Sequence, residues 1–297
     1  MSERRRAALK QKRIRQVKRQ ITLIVCGVIV IIAAIVMNAL RPEKGEHVSK
    51  DDKKEPTAIE KTVPEKSEDV AEVSKAMKEE TEEERLKRVE AEAKEAGYPK
   101  KVIKLLSKNP ETVDFVEAYG EKKDVESPEI IEELKEGEIP KLIQWDERWG
   151  YAPYGTDIIA VCGCGPTTLS MVLAGLTGDN TLTPVKLAKY GTEKHYVTEE
   201  NDTSWAFMTD ACKEWGVKCK EMMLDAKAVR KELDKGHVIV CSVGPGVFTQ
   251  NGHFILLAGH KDGKIIVHDP FSISNSNKTW DFKDFKDQIK VLWVYSR

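Results

Sequence analysis

Apolar and polar positions divide this 297-residue chain into stretches of very different texture. Residues 21–40 (ITLIVCGVIVIIAAIVMNAL) form one apolar run in which only Thr22 and Asn38 are clearly polar. Twenty helical residues span about 30 Å, the thickness of a bilayer's hydrocarbon core, so the run predicts a transmembrane helix. A cleaved signal peptide is the other reading, but the run exceeds a typical h-region and no clear A-x-A site comes after it. Residues 41–97 are dense in Lys and Glu and hold no aromatic residue. Such a segment buries too little apolar surface to offset its ordering entropy, which predicts a mostly disordered stalk. Inside it, Glu82 to Ala96 combines strong helix formers with little apolar periodicity, the pattern of a solvated helix. It shows no sustained heptads of the kind a coiled-coil partner surface needs.

Apolar periodicity returns in 98–139. Val102, Ile103, Leu105 and Leu106 fit a short helix after Pro99, and Val113, Phe115, Val116 and Tyr119 fit another after Asn109-Pro110-Glu111. This is a small helical lead-in expected to pack on residues 140–297. Those residues hold all six tryptophans and therefore the main core. Helices are expected over Gly165–Leu176, Pro184–Lys194, Ser204–Trp215 and Asp225–Lys235, each starting at Pro or a capping residue and all but the second closed by Gly. Strands are expected over Val238–Val243, Phe254–Ala258, Ile265–His268 and Val291–Tyr295. Helices followed by an antiparallel sheet define an α+β domain.

Charge sharpens this division. The formal net charge of −1 averages over +8 in residues 1–40, −9 in 41–140 and zero in 141–297. Nine Lys and Arg lie in the first 20 residues, and the positive-inside rule keeps such a segment in the cytoplasm. Everything after residue 40 is then expected outside the membrane. The balanced final section excludes a strongly basic nucleic-acid surface there. Six cysteines without a repeated CxxC pattern exclude a ribbon-type zinc site, and neither HExxH nor another ligand spacing occurs, so neither metal nor cofactor is expected.

The chemistry-bearing stretch is Val161-Cys162-Gly163-Cys164-Gly165-Pro166-Thr167. Gly-Pro ahead of an apolar helix puts Cys164 at the helix start, where the partial positive charge favours an anion and hence the nucleophilic form of a thiol. Two small buried cysteines beside a glycine turn would read the same way locally. A cysteine nucleophile also needs a base and a group to orient it. Among six histidines, His253 opens the apolar strand Phe254-Ile255-Leu256-Leu257-Ala258. That strand runs through Asp262-Gly263, a hairpin signal, and returns as Ile265 to His268, followed by Asp269-Pro270. A three-residue turn Lys261-Asp262-Gly263 would set Asp269 opposite Ile255 and diagonal to His253, within side-chain reach. A two-residue turn would put the two residues on different faces. Taken singly, His253 also reads as a strand-end histidine and Asp269 as a turn cap.

Gly163-Cys164-Gly165-Pro166-Thr167, then Gly252-His253-Phe254-Ile255, then Asp269-Pro270 resemble the C39-like peptidases, a papain-like cysteine protease family related to the peptidase domains of bacteriocin exporters. The resemblance covers roughly 140–297. It implies that Cys164 is the nucleophile, His253 the general base and acid, and Asp269 the group orienting it. It further implies an oxyanion-hole glutamine, for which Gln144 in Leu142-Ile143-Gln144-Trp145-Asp146 is the match. Gln144 lies twenty residues before Cys164, whereas exporter peptidases place it about six before, so Trp149 to Gly155 must loop out for Gln144 to serve. Gln144 alone reads equally as a polar residue at a strand start. The expected whole is a single-pass protein of a bacterial cell membrane, N-terminus inside, with an outward-facing papain-like thiol peptidase acting on peptide or protein substrates. A papain-like amidase or acyltransferase on cell-wall peptides, and a catalytically silent tethered binding module, are the alternatives. Cys212 and Cys219, one at a helix end and one in the next strand, are a disulfide candidate outside the cell.

Overall fold

The computed structural model describes residues 80–297. The expected transmembrane run 21–40 and most of the expected stalk lie outside them. Among the described residues no helix is long and apolar enough to cross a membrane.

Helix α1 (Glu82–Glu95) starts on a capping box: Thr81 Oγ1 accepts from the Glu84 N–H, and the Glu84 carboxylate accepts from the Thr81 N–H. Helix α2 (Lys100–Lys108) follows Pro99. Helix α3 (Val113–Lys122) follows the turn Pro110–Thr112. The expectation of a solvated helix after residue 82 does not hold. Val89 and Ala93 are 1% and 2% exposed. They form one apolar cluster with Val102, Leu105, Phe115, Val116, Trp145 and Ala160. Leu86, Val89 and Ala93 recur at three- and four-residue spacing, so they share one narrow face, and neighbouring helices can cover so thin a stripe. Helix α1 therefore belongs with the lead-in.

The strands β1 (Pro153–Tyr154) and β2 (Asp157–Ile158) make a small antiparallel hairpin. It runs into α4 (Ile159–Cys162), α5 (Cys164–Thr177), α6 (Pro184–Glu193) and α7 (Trp205–Glu214). Helix α5 is buried from Gly165 to Ala174 and ends on Gly178, whose φ of 77° is a left-handed cap. The rest of the chain is β3 (Lys218–Met222), α8 (Ala226–Asp234), β4 (Val238–Val243), β5 (His253–Lys261), β6 (Lys264–His268), α9 (Ile273–Ser276), β7 (Thr279–Trp280) and β8 (Ile289–Ser296). The last six strands form one antiparallel sheet in the order β3-β8-β4-β5-β6-β7. Alternate residues face opposite sides, as the strand period requires. Val240, Phe254, Leu256, Trp293 and Tyr295 pack with helices α5 to α7. Ile239, Cys241, Ile255, Leu257 and Val267 pack with Val229 and Leu233 of α8 on the other face. The result is a mixed helical and antiparallel-sheet fold.

The β5–β6 hairpin positions the site, and its register is set differently from the expectation. Lys261 pairs with Lys264, leaving a two-residue turn in which Asp262 and Gly263 both have positive φ, 51° and 80°. Those are the demands of a type I′ turn. Continued unbroken, that register would send Asp269 to the face away from His253. A bulge intervenes between Leu257 and Gly259, and beyond it Leu256 pairs with His268. The extra residue, Ala258, shifts the pairing back by one, so Asp269 returns to the side of His253.

Candidate active site

Cys164 is the first residue of α5, with Gly163 as its cap. The first N–H groups of a helix have no intrahelical partner, so those at the start of α5 point outward beside the thiol. Gly165 is required by a close approach: a Cβ there would lie 2.5 Å from the Thr203 side chain. Thr203 Oγ1 and the Tyr154 hydroxyl share a 2.8 Å hydrogen bond in the interior. Both residues thus hold the segment before α7 against the start of α5. In the sequence, Thr203 carries only the signal of a helix-capping residue before α7, and Tyr154 carries none.

His253, 8% exposed, opens β5. Its Nε2 lies 2.8 Å from Asp269 Oδ1. That leaves Nδ1 free of Asp269, and Cys164 lies near enough to the ring to add to its shift. Burial alone would drive the imidazole toward its neutral form. The Asp269 carboxylate, with a smaller contribution from Cys164, outweighs it and holds the ring's pKa up at about 10. Asp269 is 1% exposed. Its burial favours the protonated acid, but His253, the Asn275 amide and the Phe271 N–H together hold the carboxyl below its ordinary value. The Phe271 N–H donates to Oδ1 at 2.9 Å and Asn275 Nδ2 donates to Oδ2 at 2.8 Å. The Ser276 hydroxyl bridges the backbone of the same aspartate, accepting from its N–H at 2.8 Å and donating to its carbonyl at 3.1 Å. Asn275 and Ser276 are silent in the sequence, because nothing in their local pattern separates them from ordinary turn residues.

Gln144 is buried between the Asp269-Pro270 corner and the turn that leads into Cys164. Its N–H donates to the Pro270 carbonyl at 2.7 Å. Its Nε2 donates to the Ala160 carbonyl at 2.9 Å, with a longer 3.4 Å contact to Ile159. Its Oε1 is buried without a hydrogen-bond partner among the described residues. The twenty-residue separation from Cys164 is bridged because the intervening excursion closes at its neck. The Ala160 N–H reaches Gly150 O and the Ile159 N–H reaches Ala152 O, both at 2.9 Å. The excursion does not simply swing into solvent, since Trp149 and Tyr154 are core residues.

The other cysteines are placed differently. The Cys162 thiol faces the carbonyls of Tyr154 and Ile158, and burial pushes its pKa up to about 12. Cys241 is enclosed in β4, and burial raises it as well. Cys212 and Cys219 are free thiols that both contact the Met208 carbonyl. Among the described residues no cluster of three His, Cys, Asp or Glu has a metal-binding arrangement. A thiol at a helix start, beside an imidazole kept protonated by a buried carboxylate, is an arrangement suited to nucleophilic acyl transfer.

Comparison with known proteins gives the family. The model of the Peptidase_C39 like family matches residues 137–297, more than half of the chain, and the chain belongs to that family. Among solved structures, the peptidase domain of Streptococcus ComA, a bi-functional ABC transporter involved in a quorum-sensing pathway, is 19% identical. That match covers 45% of this chain and 90% of the other, with a TM-score of 0.36. A Bacillus anthracis protein described as a C39-like peptidase is 15% identical over 58% of this chain and 98% of its own, with a TM-score of 0.37. No curated protein matches the sequence.

Proposed function

We propose that this protein is a cysteine peptidase tethered to the outer side of a cell membrane, cleaving peptide bonds with Cys164, His253 and Asp269. The observation that carries the proposal is the 2.8 Å contact between His253 and the buried Asp269, beside Cys164 at the start of α5. The Cys164 thiolate attacks the scissile carbonyl carbon. Backbone N–H groups at the start of α5 receive the developing oxyanion, joined by Gln144 once one of its amide hydrogens turns from the Ile159–Ala160 carbonyls. The His253 imidazolium protonates the leaving amine, and a thioester remains on Cys164. Water then attacks that carbonyl, neutral His253 takes its proton, and the carboxylic acid product departs as the thiolate re-forms. Asp269 keeps Nε2 occupied, which turns Nδ1 toward the thiol.

Per-cysteine alkylation by iodoacetamide, read by mass spectrometry across pH, tests this. Cys164 should label fastest of the five cysteines after residue 40 at about pH 7, and His253→Ala should slow it there without changing Cys162. If Cys164 labels only well above neutral pH and ignores the His253 change, the protein is a binding module. The tether rests on the +8 N-terminal segment and the apolar run 21–40. Protease added to intact cells should remove the C-terminal domain; removal only after permeabilisation overturns the orientation.

A further inference from the structure

The lead-in helices precede the residues that match the family, yet one of their turns reaches the loop that carries Asp269. Helix α9 is a single turn, too short to be stable by itself. Its first N–H groups need partners from elsewhere. Ser272 Oγ takes the Asn275 N–H at 3.2 Å. The other two are taken by one carboxylate across 162 and 163 residues of sequence: Ile273 donates to Glu111 Oε2 and Ser274 to Glu111 Oε1, each at 2.9 Å. Two charge-assisted hydrogen bonds from one planar group fix position and orientation together.

Glu111 is itself held. Its N–H donates to Asn109 Oδ1 at 3.1 Å, and Asn109 Nδ2 donates to Glu111 Oε2 at 3.2 Å. Asn109 Nδ2 also donates to the Phe271 carbonyl at 2.7 Å, where Trp145 Nε1 donates as well, at 2.7 Å. Burial favours the protonated acid at Glu111, but the Ser274, Asn109 and Ile273 donors hold it below its ordinary value, so it carries its charge at neutral pH. The turn it caps presents Asn275 Nδ2 to Asp269 Oδ2 and the Ser276 hydroxyl to the Asp269 backbone. The Phe271 residue gripped at its carbonyl by Asn109 gives its N–H to Asp269 Oδ1. Both hydrogen bonds that the loop makes to the Asp269 carboxylate are thus anchored to the lead-in, one at the Phe271 carbonyl and the other at Ser274, beside Asn275.

We infer that Glu111 is a positioning residue for the active site: a carboxylate outside the family-matched region that locks the 271–276 turn and thereby fixes Asp269 against His253. The inference rests on the reading of Cys164, His253 and Asp269 as the catalytic group. It also gives the lead-in helices a role beyond stability, because the turn that orients Asp269 is anchored to them.

The test uses the full chain and iodoacetamide, with the Cys164 labelling rate followed against pH for wild type, Glu111→Gln, Asn275→Ala and the double variant. Glu111→Gln keeps the shape but turns one of the two acceptors into a donor facing an N–H. The acid limb of the Cys164 profile should move up by about one pH unit, roughly tenfold slower labelling on that limb, while Cys162 is unchanged. Asn275→Ala should move it in the same direction, and the double variant no further than the larger single effect, because both act through one contact chain. Additive shifts, or an unmoved limb in a Glu111→Gln protein that unfolds cooperatively, overturn the inference. If Glu111→Gln does not fold, Glu111→Asp, which keeps the charge but cannot span both N–H groups, takes its place with the same criteria. A wild-type profile that ignores His253→Ala instead refutes the catalytic reading itself, so the two failures are distinguishable.

Discussion

Replacing Asp269 by Asn isolates what the buried carboxylate does. The amide of the Asp269→Asn variant would keep an oxygen toward His253 Nε2 and the Phe271 N–H, the two donors that meet Oδ1. Its NH2 would then face Asn275 Nδ2, and Asn275 can turn its own amide over to accept. The change therefore removes charge more than shape. With Asp269 in place the imidazole titrates at about 10. At about pH 8 such a ring is about 99% protonated, whereas one at the ordinary value of about 6.5 is about 3% protonated. The imidazolium that must donate to the leaving amine is thus depleted roughly thirtyfold, and burial, which already favours the neutral ring, pushes the loss further. The same shifts make stability depend on pH at both ends. The raised His253 pKa contributes stability that is complete below about 6.5 and lost as pH rises through about 10. The lowered Asp269 pKa contributes stability present above its ordinary 3.8 and lost as pH falls below it. Nitrogen NMR of the imidazole, followed through titration, reads the effect directly. Wild-type His253 should stay protonated through pH 8, and in Asp269→Asn it should deprotonate at or below about 6.5. If the variant titrates with the wild type, Asp269 does not hold the proton and its orienting role is wrong.

Gly165→Ala would drive a methyl to 2.5 Å from Thr203. Overpacking of this kind should lower stability by about 1–3 kcal/mol and slow Cys164 alkylation as α5 shifts from His253; an unchanged thermal midpoint would show that the contact yields freely. Val89→Ala removes two buried methyl groups from the lead-in core and should cost roughly 2 kcal/mol in thermal or urea unfolding. By the same packing, a chain beginning at residue 98 should be less stable than one beginning at residue 80, and equal stability would return α1 to the solvated stalk.

The parts of this protein legible in the sequence are those set by neighbours along the chain. Gly165-Pro166 ahead of an apolar run marks the start of α5 because proline tolerates only the first turn of a helix, and Asp262-Gly263 marks the hairpin because few other pairs accept two positive φ angles. Periodicity reports which face is apolar, and so it locates helices α5 to α8 within a residue and strands β4, β6 and β8 within two, while β5 runs three residues further than expected and the edge strands β3 and β7 carry too few apolar positions to be bounded. It cannot report how wide a stripe must be to count as buried, which depends on the neighbour that covers it; Val89 and Ala93 look solvated until α2 and α3 are beside them. Nor can local pattern contain the bulge at Ala258. Sequence reasoning brings Asp269 to the side of His253 through a three-residue turn, while the folded chain does so with a two-residue turn and a bulge further up the strand. A single-residue offset reverses every side chain, so only the completed pairing settles that face. Gln144 comes beside the turn before Cys164 through the closure of the 150–160 excursion. Glu111 comes to α9 across more than half the chain, and Tyr154 meets Thr203 across 49 residues. Such contacts leave no periodic trace in either partner, because each is one polar residue in a turn or at an element end, and its meaning exists only once the hydrophobic core has brought the two segments together.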